Sequence, residues 1–371
     1  MTRFKITRRQ AIFLFIICTI SSKLQTLPCM LAYENQKGLW FVLLFGAIID
    51  AFFIFLTILI NKICPNLTMF ELLSKIFGKF FAKIINIALI LYFIFTAIMP
   101  YEAVRNVFAN NLFDTLPWPI FSIFLIFAVG YLVFSGLKTI GRSAELYFVI
   151  ILTSITILIM LGVFTANWKN ILPIFDFDIS QSLKSYVSHG IWFGDYMIFY
   201  CLMGQIDTSK TQLKFFDILL YIFVIAFYII AYVAFYCLYT VLAGSQTSLL
   251  SSISAFSLLH ISVGRLDWFL VLFSQIASVL SLSTYTYCLS SSINEVFNKK
   301  HYGICVFLSV LTIYLTDFLL YNHHSTNANN YLVSTGIFAI IIQTLIPIIC
   351  IIAALIFRKK SAKVEAKWKN F

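Results

Sequence analysis

Apolar runs of about 20 residues fill nearly the whole of this 371-residue chain, at roughly 10–32, 39–60, 84–108, 117–136, 142–164, 185–205, 215–243, 266–292, 302–321 and 331–357. Each run is long enough to cross a bilayer as a helix. Lipid offers no partner for backbone N–H and C=O groups, so an open sheet or an exposed loop cannot occupy these stretches. The sequence therefore predicts an all-α integral membrane protein of about ten transmembrane helices. The 61% hydrophobic and 11% charged composition leaves no room for a soluble domain. The eight cysteines lie mostly inside apolar runs, without metal-type spacing, and read as small core side chains rather than a disulfide frame. The first run follows Arg3, Lys5, Arg8 and Arg9 but has no small-x-small cleavage site, so it reads as a retained helix.

With ten spans both termini share a side. That side collects 20 of the 26 Lys and Arg residues, the opposite side 5, and Lys23 stays inside the membrane. The positive-inside rule then puts both termini in the cytoplasm, with residues 358–371 as a basic tail. The net charge of +11 is accounted for by this topology and by anionic lipid, and calls for no nucleic acid. Between the second and third runs, Leu67 to Phe81 has a helical period with Glu71, Lys75 and Lys79 on its polar side, which suits an interfacial helix. The polar stretch 322–330 reads as an outer loop, and its His323/His324 pair alone is weak support for a metal.

Two runs are interrupted by polar patches. The first carries Ser21-Ser22-Lys23-Leu24-Gln25-Thr26-Leu27-Pro28, the sixth Ser188-His189-Gly190-Ile191-Trp192-Phe193-Gly194-Asp195. Interrupted helices at matching places in two halves of a membrane protein point to a small-molecule site. Lys23 lies roughly 20 Å from the helix edge at 1.5 Å per residue, too deep to reach water easily. A charge at that depth costs about 2.5–3.5 kcal/mol on insertion scales and needs a partner. Asp50 in the second run and Asp195 in the sixth stand at similar depth. Either Lys23 and Asp50 form a structural pair beside a hydrogen-bonded Asp195, or Lys23 and Asp195 line a cavity where Asp195 meets a ligand ammonium or a proton.

Leu24, Gln25 and Thr26 stand where a second half-helix begins. Its free N–H groups and positive dipole end suit a carboxylate. Gly190 and Gly194 let the sixth run unwind, or serve as close-packing contacts, and Trp192 and Asp195 complete that side of the site. In the eighth run, Ser278 and Ser281 offer hydroxyls for an ion together with carbonyls of the first run, or simply bond their own helix. No His-Glu-x-x-His, Gly-x-Ser-x-Gly, phosphate loop or Cys-x-x-Cys is present, and neither an enzyme nor a bound cofactor is expected.

Several short stretches together resemble one family. These are Ile6-Thr7-Arg8-Arg9-Gln10, the Leu27-Pro28 pair, Glu102, Leu116-Pro117-Trp118, Gly136-Leu-Lys-Thr-Ile-Gly-Arg142-Ser-Ala-Glu145, Asn170-Ile-Leu-Pro173 and Gly264-Arg265-Leu-Asp267. In order and spacing they are similar to the endospore germination permeases, the B subunits of germinant receptors in the amino acid–polyamine–organocation superfamily. The resemblance implies a LeuT-like fold of two inverted five-helix repeats, about 10–164 and 185–357, in one permease domain with helices one and six discontinuous. It implies an amino-acid-sized ligand, partnership with an A subunit and a lipoprotein C subunit, and residence in an inner spore or cell membrane. Glu102 and Glu145 then become candidate coupling or structural charges. The chain departs from the family in having Lys23 where a small uncharged residue is usual, Asp195 where Glu is usual, and an atypical Asp50. Some members work outside germination as plain permeases, so a stand-alone proton- or sodium-coupled amino-acid transporter is the alternative expectation.

Overall fold

The structure, a computed structural model, describes residues 5–65, 67–111, 118–206, 216–256, 267–297, 302–323 and 328–369. Fourteen α-helices occupy these residues: α1 Arg8–Leu24, α2 Leu27–Asn35, α3 Leu39–Ile63, α4 Met69–Phe77, α5 Lys79–Asn111, α6 Trp118–Phe134, α7 Leu137–Thr165, α8 Ile179–Ser188, α9 Met197–Cys201, α10 Phe216–Tyr239, α11 Leu249–Ala255, α12 Asp267–Phe297, α13 Tyr302–His323 and α14 Ala328–Lys369. Among the described residues no strand forms, and one isolated bridge joins Ile6 to Ile206. Seven helical stretches are long and apolar enough to cross a membrane, and the first of them, Arg8–Ile63, contains α1, α2 and α3. The chain is a multi-pass helical membrane protein.

Several boundaries differ from the sequence expectation for local reasons. The amphipathic segment expected at Leu67 to Phe81 ends at Phe77. Gly78, at φ +91°, turns the chain, and α5 begins at Lys79, five residues before the expected third span. Thr68 starts α4 with a reciprocal capping box, Glu71 N–H to Thr68 Oγ1 and Thr68 N–H to Glu71 Oε2. The sixth run is not a helix of spanning length. It is α8, a short 3₁₀ turn at Gly190–Trp192, and the five-residue α9. Of the motif residues, Leu116, Pro117, Gly264, Arg265 and Leu266 lie outside the described residues. The expected loop at 322–330 is helical at both ends, where α13 ends at His323 and α14 begins at Ala328, and His324 lies outside the described residues.

Buried residues of α1, α5, α7 and α12 make the centre of the molecule, while large apolar side chains such as Phe124, Phe127, Phe164 and Phe223 face outward, as lipid-facing positions should. At one end the start of α1 is tied to three later parts of the chain. Ile6 N–H donates to Gln205 O at 3.0 Å. Arg8 forms an ion pair with Asp217 at the start of α10, and Arg9 Nε lies 3.1 Å from Glu145 Oε1 on α7. Gln10 Nε2 donates to Glu145 at 3.1 Å.

The long helix α14 lies so close to α8 that only glycine fits between them. A Cβ on Gly336 would stand 2.2 Å from the Ser188 carbonyl oxygen and 2.4 Å from that of Val187. Backbone atoms cannot step aside as a side chain can. Gly336→Ala is therefore expected to cost about 1–3 kcal/mol of overpacking strain, read as a lower unfolding temperature of the detergent-purified protein. Gly130→Ala on α6, whose Cβ would meet nothing closer than 3.6 Å, is the control and should change stability little. Equal effects of the two substitutions would refute this account.

Candidate functional site

The first break is a backbone event around Pro28. In a continuous helix Leu24 O would accept from the N–H four residues on, but Pro28 has none. The chain leaves helical geometry at Gln25 (φ −89°, ψ −87°) and re-enters with Thr26 as the N-cap of α2. Other helices take up the released carbonyls. Tyr232 Oη, on α10, donates to Lys23 O, and Leu249 N–H, at the start of α11, donates to Gln25 O at 3.0 Å.

The second break spans residues 189–196 between α8 and α9 and is held by one amide. Gln343 Nε2 on α14 donates to Phe193 O at 2.7 Å and Gly190 O at 3.0 Å, and Tyr196 Oη returns a bond to Gln343 O at 2.8 Å. Gly194 sits at φ +78°, a conformation that favours glycine. Its carbonyl accepts from Tyr92 Oη at 3.3 Å, and its N–H donates to Asp50 Oδ1 at 3.1 Å. His189 Nδ1 is 3.0 Å from Ser185 O, which makes that nitrogen the protonated one, and 3.7 Å from Glu34 Oε2 on α2.

The two breaks face each other across a buried charge cluster. Lys23 bonds to Asp195 Oδ2 and lies 3.2 Å from Asp50 Oδ2, and all three side chains are at most 3% exposed. Ser22 Oγ reaches Asp195 at 3.0 Å and Tyr285 Oη donates to Asp195 Oδ1 at 2.9 Å. Tyr221 Oη donates to Asp50 Oδ2 at 2.9 Å. The Lys23 ammonium also stands 5.4 Å from the centre of the Phe193 ring. Lys23 is thus shared: it takes both carboxylates at once. One ammonium between two carboxylates leaves one formal negative charge in excess. Such a cluster, away from water, can accept a further cationic group or a proton.

Of the remaining expected residues, some lie beside this centre and two lie apart from it. Leu24, Gln25 and Thr26 form the first break, and Trp192 Nε1 donates to Thr26 Oγ1 at 3.4 Å, which joins the breaks a second time. Gly190 packs against α14, where a Cβ would stand 2.5 Å from Ile340. Ser281 donates to Ala277 O on its own helix at 2.7 Å and comes within 3.2 Å of Ile17 O on α1. Ser278 accepts from Ser21 at 3.3 Å and from Gln25 at 3.4 Å. Glu102 and Glu145 are not part of the centre. Glu145 pairs with Arg9, and Glu102 lies 3.3 Å from Arg105, itself 3.3 Å from Asp317 on α13.

Sequence reasoning missed the uncharged partners. Tyr285 continues a helical stripe through Ser274, Ser278 and Ser281, spaced 4, 3 and 4 residues apart, and that stripe faces the first break. Tyr221, Tyr228 and Tyr232 make a matching stripe on α10. Gln343 is the one amide side chain in the run 331–357, and a buried amide without hydrogen-bond partners costs about 2–7 kcal/mol.

A model of the family described as "Spore germination protein", a spore permease family, matches residues 5–326. The chain belongs to the spore germination permease family. Among curated members of this spore germination family, protein KB of Bacillus subtilis (strain 168) is 23% identical over 374 residues, 99% of both chains. Spore germination protein A2 of the same organism is 24% identical over 332 residues, covering 85% of this chain and 86% of that one. Spore germination protein YndE is 25% identical over 215 residues, 57% of this chain and 58% of its own length. The match thus extends over both breaks and over Lys23, Asp50 and Asp195.

Proposed function

We propose that this chain is a germination permease-like subunit that binds an amino acid or a similarly small nutrient inside the membrane, between the two helix breaks, and signals or transports it. The observation that carries this reading is the meeting of the two interrupted segments at Lys23, Asp50 and Asp195. The ligand carboxylate would sit at the start of α2 near Leu24–Thr26, where backbone N–H groups lack helical acceptors. The ligand ammonium would take up the excess negative charge beside Asp195, with its side chain toward Trp192 and Gly194. Binding drives a change of state only if it is tighter in one arrangement of the helices than in the other. Ser22–Asp195 and Trp192–Thr26 are bonds across the breaks that such a change would remake.

The accompanying architecture is ten spans in two inverted five-helix repeats, about 10–164 and 185–357, with helices one and six discontinuous. The Lys and Arg distribution supports cytoplasmic termini and a basic tail at 358–371, and family membership supports residence in an inner spore or cell membrane. Family membership supports work beside an A-subunit membrane protein and a lipoprotein C subunit.

The test is a thermal-shift screen of the detergent-purified chain against amino acids, sugars and nucleosides. An amino acid is expected to raise the unfolding temperature. Asp195→Asn, which keeps the shape and removes the charge, should weaken that ligand by roughly tenfold or more, the scale of a lost charge-assisted hydrogen bond. Unaltered binding in Asp195→Asn would refute this site.

A second reading, a stand-alone proton- or sodium-coupled amino-acid transporter, is favoured by the one excess negative charge and by the approach of Ser281 to Ile17 O. Uptake of labelled amino acid by vesicles holding this chain alone would support it. Finding adjacent genes for A and C subunits would support the receptor.

A further inference from the structure

Beside the charge cluster, a second group of polar side chains is buried with no charge among them. Gln25 in the first break meets Gln275, Ser274 and Ser278 of α12 and Ser248 at the start of α11, and each of these side chains is at most 3% or, for Ser248, 1% exposed. Their hydrogen bonds have one consistent direction. Ser274 Oγ donates to Val271 O at 2.6 Å, so its only proton is committed. The Gln275 atom 3.4 Å from Ser274 Oγ must therefore be the amide nitrogen. That nitrogen also faces Gln25 Oε1 at 3.3 Å, which orients Gln25 in turn. Gln25 Oε1 then accepts from Ser248 Oγ at 3.4 Å, and Gln25 Nε2 donates to Ser278 at 3.4 Å.

Gln275 donates through Nε2, but no donor among the described residues reaches its Oε1. This atom is buried and has no hydrogen-bond partner among the described residues. A buried amide oxygen left unmet costs about 1–3 kcal/mol. The four bonds from Gln25 and Gln275 to their side-chain neighbours are all 3.3–3.4 Å long. This is a loose set of contacts around an open acceptor.

We infer that Gln25, Gln275, Ser248 and Ser278 form an uncharged subsite in which Gln275 Oε1 accepts a hydrogen bond from the neutral hydroxyl or carboxamide side chain of the bound amino acid. The inference rests on the reading of the two breaks as an amino-acid site and adds a preference among amino acids: the ligand side chain passes Trp192, which itself bonds Thr26 beside Gln25, and places its polar end at Gln275. The subsite holds no ionisable group, so it suits a neutral polar side chain rather than a charged one. An apolar side chain of the same shape would leave Gln275 Oε1 unmet, and sites built to hydrogen-bond a substrate reject such analogues.

The experiment measures the affinities of threonine against its isostere valine, and of asparagine against leucine, on the detergent-purified full chain by calorimetry. Threonine and asparagine are expected to bind roughly tenfold or more tightly than their apolar counterparts, the scale of one orphaned polar group. Gln275→Met, of similar length, should bring each ratio to near one while valine still binds. Ser248→Ala keeps Gln275 but frees Gln25, and should shrink the ratios in the same direction if Gln275→Met yields too little folded protein. Tight valine binding with ratios near one in the unaltered protein overturns the subsite and leaves the amino-acid site standing. Ratios unchanged in either variant also overturn it and leave Gln275 Oε1 to an ordered water. No binding of any of the four amino acids overturns the subsite and the amino-acid reading together.

Discussion

Lys23→Met is expected to destabilise the protein more than any other single substitution in the buried cluster. It leaves Asp50 and Asp195 facing each other with no ammonium between them. Removing one partner from a buried ion pair costs about 3–5 kcal/mol, because the charge left behind cannot return to water. Asp50→Asn should be much milder. Lys23 and Asp195 then remain as a balanced pair, and an asparagine oxygen can still accept from Gly194 N–H or Tyr221 Oη. Restoring neutrality by changing all three residues, Lys23→Met with Asp50→Asn and Asp195→Asn, should recover part of the stability lost in Lys23→Met. Unfolding temperature and the fraction of monodisperse protein in detergent measure the order. If Asp50→Asn were as damaging as Lys23→Met, the cluster would not be a shared-cation arrangement.

The second large effect is expected at Gly194. Its φ of +78° costs a residue with a Cβ about 1–2 kcal/mol. The new Cβ would also stand 2.3 Å from Gln343 Cδ and 2.4 Å from Nε2. That amide is the clamp on Gly190 O and Phe193 O. Gly194→Ala should therefore cost about 3 kcal/mol in all, strain and overpacking together, and should abolish the ligand-induced thermal shift. Trimming the clamp in Gly194→Ala with Gln343→Ala relieves the collision but not the backbone strain. The double variant should recover ligand binding less than fully. Full recovery would show that the positive φ matters little here.

How much was legible in the sequence follows from what each residue does in an apolar background. Lys23, Asp50 and Asp195 were conspicuous because a charge inside a run of leucine and isoleucine has no ordinary use. The breaks were visible through Pro28, Gly190 and Gly194. Helix rotation was not visible, and it alone decides whether Lys23 reaches one carboxylate or two. Tyr221, Tyr232 and Tyr285 escaped notice because tyrosine is common in this chain, and only its spacing marks the inward-facing ones. Gln343 and Gln275 escaped notice as single amides, although each anchors backbone or side chains at a break. The end of α4 at Phe77 turned on Gly78, whose positive φ is a property of the fold and not of the local hydrophobic period.

The pairing of Lys23 with Asp50 has a consequence for how the chain enters a bilayer. Asp50 belongs to the same first hairpin as Lys23, whereas Asp195 follows Lys23 by 172 residues. A lysine emerging during synthesis with Asp195 as its sole partner would wait uncompensated in lipid while α2 to α8 were made. With Asp50 beside it, the stretch from Arg8 to Ile63 can insert with its deep charges already cancelled. Asp195 then arrives at an ammonium that is already held in place. The carboxylate that looks redundant in the finished molecule would let α1, α2 and α3 rest in the membrane until the rest of the chain exists.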